Sequence, residues 1–130
     1  MILIGHKFIE AESLYHVRDI DAIMHTPPSA TIYLEFSEEN LDIIEHARAN
    51  SIAFSLGISS VTELIYASSL GAKYVLLSKS LAKTAQEIAE TYLFDTKILV
   101  HIETDKEIEE MALLGIDGVI YPNAIIKINS

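Results

Sequence analysis

The sequence predicts an α/β fold of about six parallel strands alternating with helices, curled into a partial, open β/α barrel. Three observations predict it. First, segment 60–77 recurs without a gap as 104–121: Ser60-Val-Thr-Glu63-Leu and Leu70-Gly71-Ala-Lys-Tyr-Val75 match Thr104-Asp-Lys-Glu107-Ile and Leu114-Gly115-Ile-Asp-Gly-Val119. Each copy holds a capping box, an amphipathic helix, a Leu-Gly stop and an apolar strand, which together make one βα unit. Second, the same alternation runs through most of the chain, and it forces parallel strands with right-handed crossovers. Third, half of the 130 residues are apolar and mean hydropathy is +0.30, which suits strands covered on both faces. A doubly wound open sheet shares the alternation. The Leu-Gly link favours the barrel, because it turns each helix directly into a strand lying against its predecessor.

Taken in order, residues 2–4 read as a first strand that can extend to 9. Residues 12–24 carry Leu14, Val17, Ile20 and Ile23 at helical spacing, interrupted by Asp19 and Asp21. Thr26-Pro27-Pro28-Ser29 breaks any helix, since two prolines remove donors and fix φ. Residues 31–36 form the next strand, and Ser37 caps a helix over 38–49. Strands follow at 52–56, 74–77, 97–102 and 118–121. Helices lie between them at 61–70, 81–92 and 105–114, and 124–128 reads as a short turn or helix. Nothing along the way resembles a linker, so the chain is one domain.

Nine basic residues against nineteen acidic give a formal charge of −10. Such a surface repels phosphate backbones, so nucleic-acid binding is not expected. The acids fall mostly on helix faces, as a solvated shell. No apolar run is long enough to span a bilayer, and residues 1–5 lack the features of a signal peptide. There is no cysteine, hence no disulfide, and a cytoplasmic home is expected. An open barrel leaves strand edges uncovered, which predicts a homo-oligomer, a dimer in the simplest case.

Parallel β/α folds bind ligands at the carboxyl ends of their strands. Those positions supply the candidate catalytic residues His6, Glu35, Lys79, His101 and Glu103. They also supply the candidate ligand-binding residues Ser55, Ser78, Thr104, Tyr121 and Asn123. Imidazoles and carboxylates are the usual parts of an acid–base or metal cluster, but no local spacing fixes one here, and the sequence assigns no metal ligand and leaves any cofactor open. A one-residue register slip would turn half of these side chains into packing positions. Lys79 has the placement of a Schiff-base or phosphate-binding lysine, and equally that of an ordinary exposed lysine at a helix start. His16, His25 and His46 read as surface or interface residues.

Val100-His-Ile-Glu-Thr-Asp-Lys-Glu through Gly115-Ile-Asp117-Gly118-Val-Ile120-Tyr-Pro122 resembles the last βαβ unit of glycerophosphodiester phosphodiesterases. The resemblance implies a phosphate-binding, metal-dependent β/α barrel and covers roughly the last third of the chain. Where that family has His-Arg-Gly and then Glu-Asn-Thr, this chain has His6-Lys7-Phe8 and then Glu12-Ser13. Where it has a Glu-x-Asp metal pair, this chain has Glu35-Phe36-Ser37. The family's downstream His-Asp pair has no counterpart, so only His6 and Glu35 carry over. The phrase at 62–75 is similar to one in keto-deoxy-phosphogluconate aldolases, but the position of their Schiff-base lysine is taken here by Leu76. The whole chain also resembles small uncharacterised bacterial proteins with the same Thr-Pro-Pro segment, a likeness that implies no function.

These readings lead to a cytoplasmic, non-catalytic or degenerate barrel module that binds a small anionic ligand or a protein partner at the strand-end rim. The alternatives are a small enzyme acting on a phosphorylated metabolite or phosphodiester, and a purely structural oligomer.

Overall fold

The computed structural model describes residues 1–128. Its strands are β1 Ile2–Ile4, β2 Leu14–His16, β3 Thr31–Glu35, β4 Phe54–Gly57, β5 Tyr74–Leu77, β6 Lys97–His101, β7 Gly118–Ile120 and β8 Ile125–Lys127. Its helices are α1 Ile20–Ile23, α2 Leu41–Ala49, α3 Val61–Leu70, α4 Lys79–Thr91 and α5 Lys106–Leu113, with 3₁₀ turns at Glu38–Asn40 and Pro122–Ala124. All ladders are parallel. The strands form one 8-stranded sheet in the order β1-β7-β6-β5-β4-β3-β2-β8.

Alternation along the strands sorts their side chains into two apolar layers. Ile32, Leu34, Phe54, Leu56, Val75, Leu77, Ile98, Val100 and Val119 pack outward with the helices. Small Ala82, Ala85 and Ala89 let α4 lie close against that face. Tyr33, Tyr74, Leu76, Leu99 and Ile120 point the other way and meet Ile4 from one edge of the sheet and Leu14 from near the other. A cluster that joins both ends of the strand order requires the sheet to curl around it. No buried residue of the five α-helices enters this inner cluster. The architecture is therefore a half-barrel with helices on its convex side, and not a doubly wound sheet. No ladder joins β1 to β8 among the described residues, so the barrel is open between them.

Two expectations need correction: the sheet has eight strands where six were expected. Segment 12–24 is not one helix, because its first part pairs with β3, Leu14 opposite Thr31 and His16 opposite Tyr33. Val17 continues the pairing through its N–H to the Tyr33 carbonyl at 3.1 Å. Asp19 then starts the four-residue α1 by accepting from the Ala22 N–H at 2.8 Å. Segment 124–128 is likewise a strand, held by the register Ile125 to Leu14 and Lys127 to His16. Each of these strands has three residues, too few for period-2 alternation to show.

The four longer helices end in the same way. The N–H groups of Ile52, Ala72, Phe94 and Ile116 return to the carbonyls of Ala47, Ala67, Ala89 and Met111 at 2.8, 3.0, 2.9 and 3.1 Å. These are Schellman closures, and each needs a left-handed residue before the returning N–H. Gly71 and Gly115 serve α3 and α5, but Ser51 and Leu93 serve α2 and α4 with φ of 55° and 54°. Leu93 is 85% exposed, so its side chain contributes little packing to offset the strain. Leu93→Gly is expected to stabilise the protein by roughly 0.5–1 kcal/mol, read as a higher urea midpoint. A lower midpoint would show that the leucine packs more than its exposure implies.

Candidate functional site

The carboxyl ends of β3, β4, β5 and β6 surround a cavity of about 410 Å³. Glu35 and His101 line it at the last positions of β3 and β6, with Tyr33 below Glu35. Gly57, Ser59, Ser78, Ser80 and the apolar Ile58, Leu76, Leu77 and Leu81 complete the wall. Gly57 is what leaves room at the β4 position, since a Cβ there would collide with the Glu35 carboxylate and the Tyr33 hydroxyl. The inner apolar cluster forms the floor.

Glu35 organises the polar half. The Tyr33 hydroxyl donates to its Oε1 at 2.6 Å. Burial first, and then that carboxylate, push the Tyr33 phenol well above its ordinary range, so it stays protonated and donating. The negative charge also reaches two imidazoles, His16 on β2 and His101. His16 stands edge-on to Tyr33, with ring centroids 5.1 Å apart. The surrounding protein disfavours the imidazolium at both histidines, and Glu35 only partly opposes this, so both pKa values fall below 6.5. Near neutral pH each imidazole is therefore uncharged, able to donate from one nitrogen and accept at the other.

His101 also borders a second, larger cavity of about 710 Å³ with Ser78, Lys79, Glu103, Thr104, Glu107 and Glu110. Lys79 is tied there to Glu107 at 3.0 Å and lies 3.8 Å from Glu110. Its pKa is raised by Glu107, opposite to the change that makes a lysine nucleophilic. Glu107 accepts the N–H groups of Glu103 and Thr104 and the Thr104 hydroxyl at 3.0, 3.0 and 3.1 Å. Those bonds, the Glu103 N–H foremost, and the Lys79 contact hold its carboxyl down to about 2. The first turn of α5 thus carries the chain's own anion, and the Thr104 hydroxyl is spent donating to it, without capping the helix. At α3, Ser60 accepts from the Glu63 N–H at 3.2 Å while Glu63 accepts from the Ser59 N–H at 2.9 Å. At α4, the Ser78 hydroxyl meets that of Ser80 at 2.9 Å.

The remaining expected residues lie elsewhere on the rim or beneath it. His6, its side chain 9% exposed, sets Nε2 3.3 Å from Asp105 Oδ1. Its Nδ1 accepts the Phe8 N–H at 3.1 Å, so both ring nitrogens are engaged. Tyr121 donates to the same Asp105 oxygen. Burial, then that bond, push its phenol up to about 12, while the bond holds the Asp105 carboxyl below its usual value. The Asn123 side chain donates to the Gly5 carbonyl at 3.1 Å, locking the turn after β7 to the end of β1. This group is a clip between strand ends.

Ser55 is 0% exposed and lies one layer below Gly57, beside Tyr33 and Tyr74 in the ladders. Its hydroxyl has no hydrogen-bond partner among the described residues. An unsatisfied buried hydroxyl is unfavourable, so Ser55→Ala is expected to be neutral or to stabilise by up to about 1 kcal/mol. A destabilisation above that size in urea unfolding would reveal a bond the hydroxyl makes in solution.

Of the sequence candidates, Glu35, His101 and Ser78 line this cavity, and His16 and Tyr33 were not among them. His16, expected at the surface or in an interface, is half-buried on β2 beside Tyr33. The period of β3 carried a signal for Tyr33, which sits two residues before Glu35 and so faces the same side.

Among the described residues, no three His, Asp or Glu side chains converge as a metal site. The metal implied by the phosphodiesterase resemblance therefore does not fit, and Ser37, in the position of the second acid, caps the 3₁₀ turn through the Glu39 N–H at 3.2 Å. No helix among the described residues is long and apolar enough to cross a membrane. No protein-family model and no curated protein matches the chain.

Proposed function

We propose that the chain is a non-catalytic β/α half-barrel that binds a small polar ligand at the carboxyl-end rim of its sheet, with the Glu35 carboxylate accepting from a donor group of that ligand. The observation that carries this reading is the cavity around Glu35 and His101. At about 410 Å³ it has the size of a small-ligand pocket, and it combines an apolar floor with convergent polar groups. Three of the other polar candidates are spent within the protein, His6 on Asp105 and Phe8, Lys79 on Glu107 and Thr104 on Glu107.

Native mass spectrometry of protein purified without added phosphate tests the reading. The wild type is expected to carry an excess mass that Gly57→Val abolishes, with circular dichroism showing the fold intact. A bare wild type, or a mass that survives Gly57→Val, would count against it. The enzyme reading rests on Glu35 and His101 as an acid–base pair facing one cavity. It requires turnover of some phosphorylated compound that Glu35→Gln abolishes. A dimer remains part of the proposal, supported by the unpaired outer edges of β1 and β8. A monomer throughout the micromolar range in light scattering would remove it.

A further inference from the structure

The geometry points to a phosphate-binding pocket at the carboxyl ends of β2 and β8, formed by His16, Arg18 and Lys127. The β2–β8 ladder sets His16 directly beside Lys127. Arg18 follows two residues beyond His16, and the three side chains, with Ile128, line a cavity of about 260 Å³.

The chain has nine Lys and Arg residues against nineteen Asp and Glu. The Lys and Arg ion pairs among the described residues use Arg48, Lys73 and Lys79. Arg18, Lys127 and four other lysines enter none of them, but Arg18 and Lys127 line one cavity together. The acid that acts on His16 is Glu35 across β3, and the Tyr33 hydroxyl already holds that carboxylate at 2.6 Å. Arg18 and Lys127 both push the His16 imidazole toward its neutral form, in addition to the larger effect of burial. Arg18 and Lys127 carry like charge beside one cavity, and a bound anion would relieve their repulsion.

The donor set selects the anion. A guanidinium fork, an ammonium and an imidazole present three kinds of donor around one cavity. A tetrahedral phosphate can satisfy all three, whereas a planar carboxylate has two oxygens to share among them. The capped helix starts do not compete, because Glu63 and Glu107 already occupy the first turns of α3 and α5. This inference rests on the reading of the rim as a ligand surface, but it stands on residues that do not line the Glu35 cavity.

The test is a titration of inorganic phosphate into the full chain, followed by ¹H–¹⁵N correlation spectra at constant ionic strength. Saturable shifts are expected at His16, Arg18, Lys127 and Ile128. The double variant Arg18→Ala/Lys127→Ala should weaken phosphate binding at least about a hundredfold, from the loss of two charge-assisted hydrogen bonds. Its thermal midpoint should hold, since both side chains are exposed. Arg18→Lys should fall between, keeping the charge and losing the fork. His101→Ala, on β6 and away from the β2–β8 pair, should leave phosphate binding intact, which separates this pocket from the Glu35 cavity if that reading fails. Acetate binding as tightly as phosphate would overturn the assignment. So would shifts that survive the double variant, or shifts that sodium chloride alone reproduces.

Discussion

Replacing Gly118 with alanine is expected to destabilise the fold by about 2–3 kcal/mol, near the upper end for overpacking. Gly118 opens β7 and lies between Ile2 of β1 and Leu99 of β6 in the two ladders. A Cβ there would lie 2.6 Å from the Ile2 Cβ, 2.7 Å from the Ile2 carbonyl oxygen and 2.8 Å from Leu99 Cδ2. The carbonyl oxygen is the contact that matters, because it cannot retreat without pulling β1 out of its ladder. β1 has three residues, sits at the edge of the sheet and has β7 as its one neighbour. The strain therefore falls on the strand least able to resist it. At Gly57 the colliding groups are the ends of Glu35 and Tyr33, which can swing aside, so Gly57→Ala should cost less. Urea unfolding should show a lower midpoint for Gly118→Ala with an unchanged slope, and amide exchange should show lost protection in β1 first. Equal midpoints for the two alanine variants would refute the backbone-clash account.

Much of the fold is legible where local signals agree. The repeat at 60–77 and 104–121 becomes α3–β5 and α5–β7, with both capping glutamates and both helix-ending glycines in their expected places. Legibility ends where a long-range ladder decides. Leu14, Val17, Ile20 and Ile23 have helical spacing, yet residues 14–17 are drawn into a strand by β3 and β8, which are distant in sequence. The helix ends teach a related lesson. Gly71 and Gly115 advertise their Schellman turns, whereas Ser51 and Leu93 adopt the same left-handed conformation with no sequence cue. The returning hydrogen bonds and the apolar residue beyond them impose it.

The site was legible as a rim and less so as a set of partners. Strand ends located Glu35, His101 and Ser78, because the position after an apolar strand is readable from pattern alone. Which of the polar residues face a cavity and which satisfy one another depends on distances between strands. His6 and Lys79 illustrate this, since their partners Asp105 and Glu107 lie on a different βα unit. His16 and Lys127 could not be paired from sequence, because neither of their strands was expected.

The second large effect is expected at Glu12, in the connection between β1 and β2. Its carboxylate accepts the Thr31 and Tyr74 hydroxyls, each at 2.7 Å, and the Lys73 ammonium at 3.0 Å. Tyr74 and Thr31 are only 7% and 2% exposed, so Glu12→Ala leaves two buried hydroxyls without their acceptor. The expected cost is about 2–4 kcal/mol, most of it from those two groups. The Lys73 pair is partly exposed and adds less than about 1 kcal/mol. Glu12→Gln keeps one carbonyl acceptor and should fall between. Burial alone would raise the Glu12 pKa, but Tyr74, Thr31 and Lys73 outweigh it and hold the carboxyl below 4.5. A depressed folded-state pKa gives stability that is present above 4.5 and lost as pH falls through the folded value. Tyr74 has the opposite sign, because burial and the Glu12 carboxylate raise its phenol above 10. That contribution is complete below pH 10 and declines as pH rises beyond it. Urea unfolding across this range should show a steeper acid loss in the wild type than in Glu12→Gln below pH 4.5. Parallel acid limbs in the two proteins would mean that Glu12 titrates alike in the folded and unfolded chain.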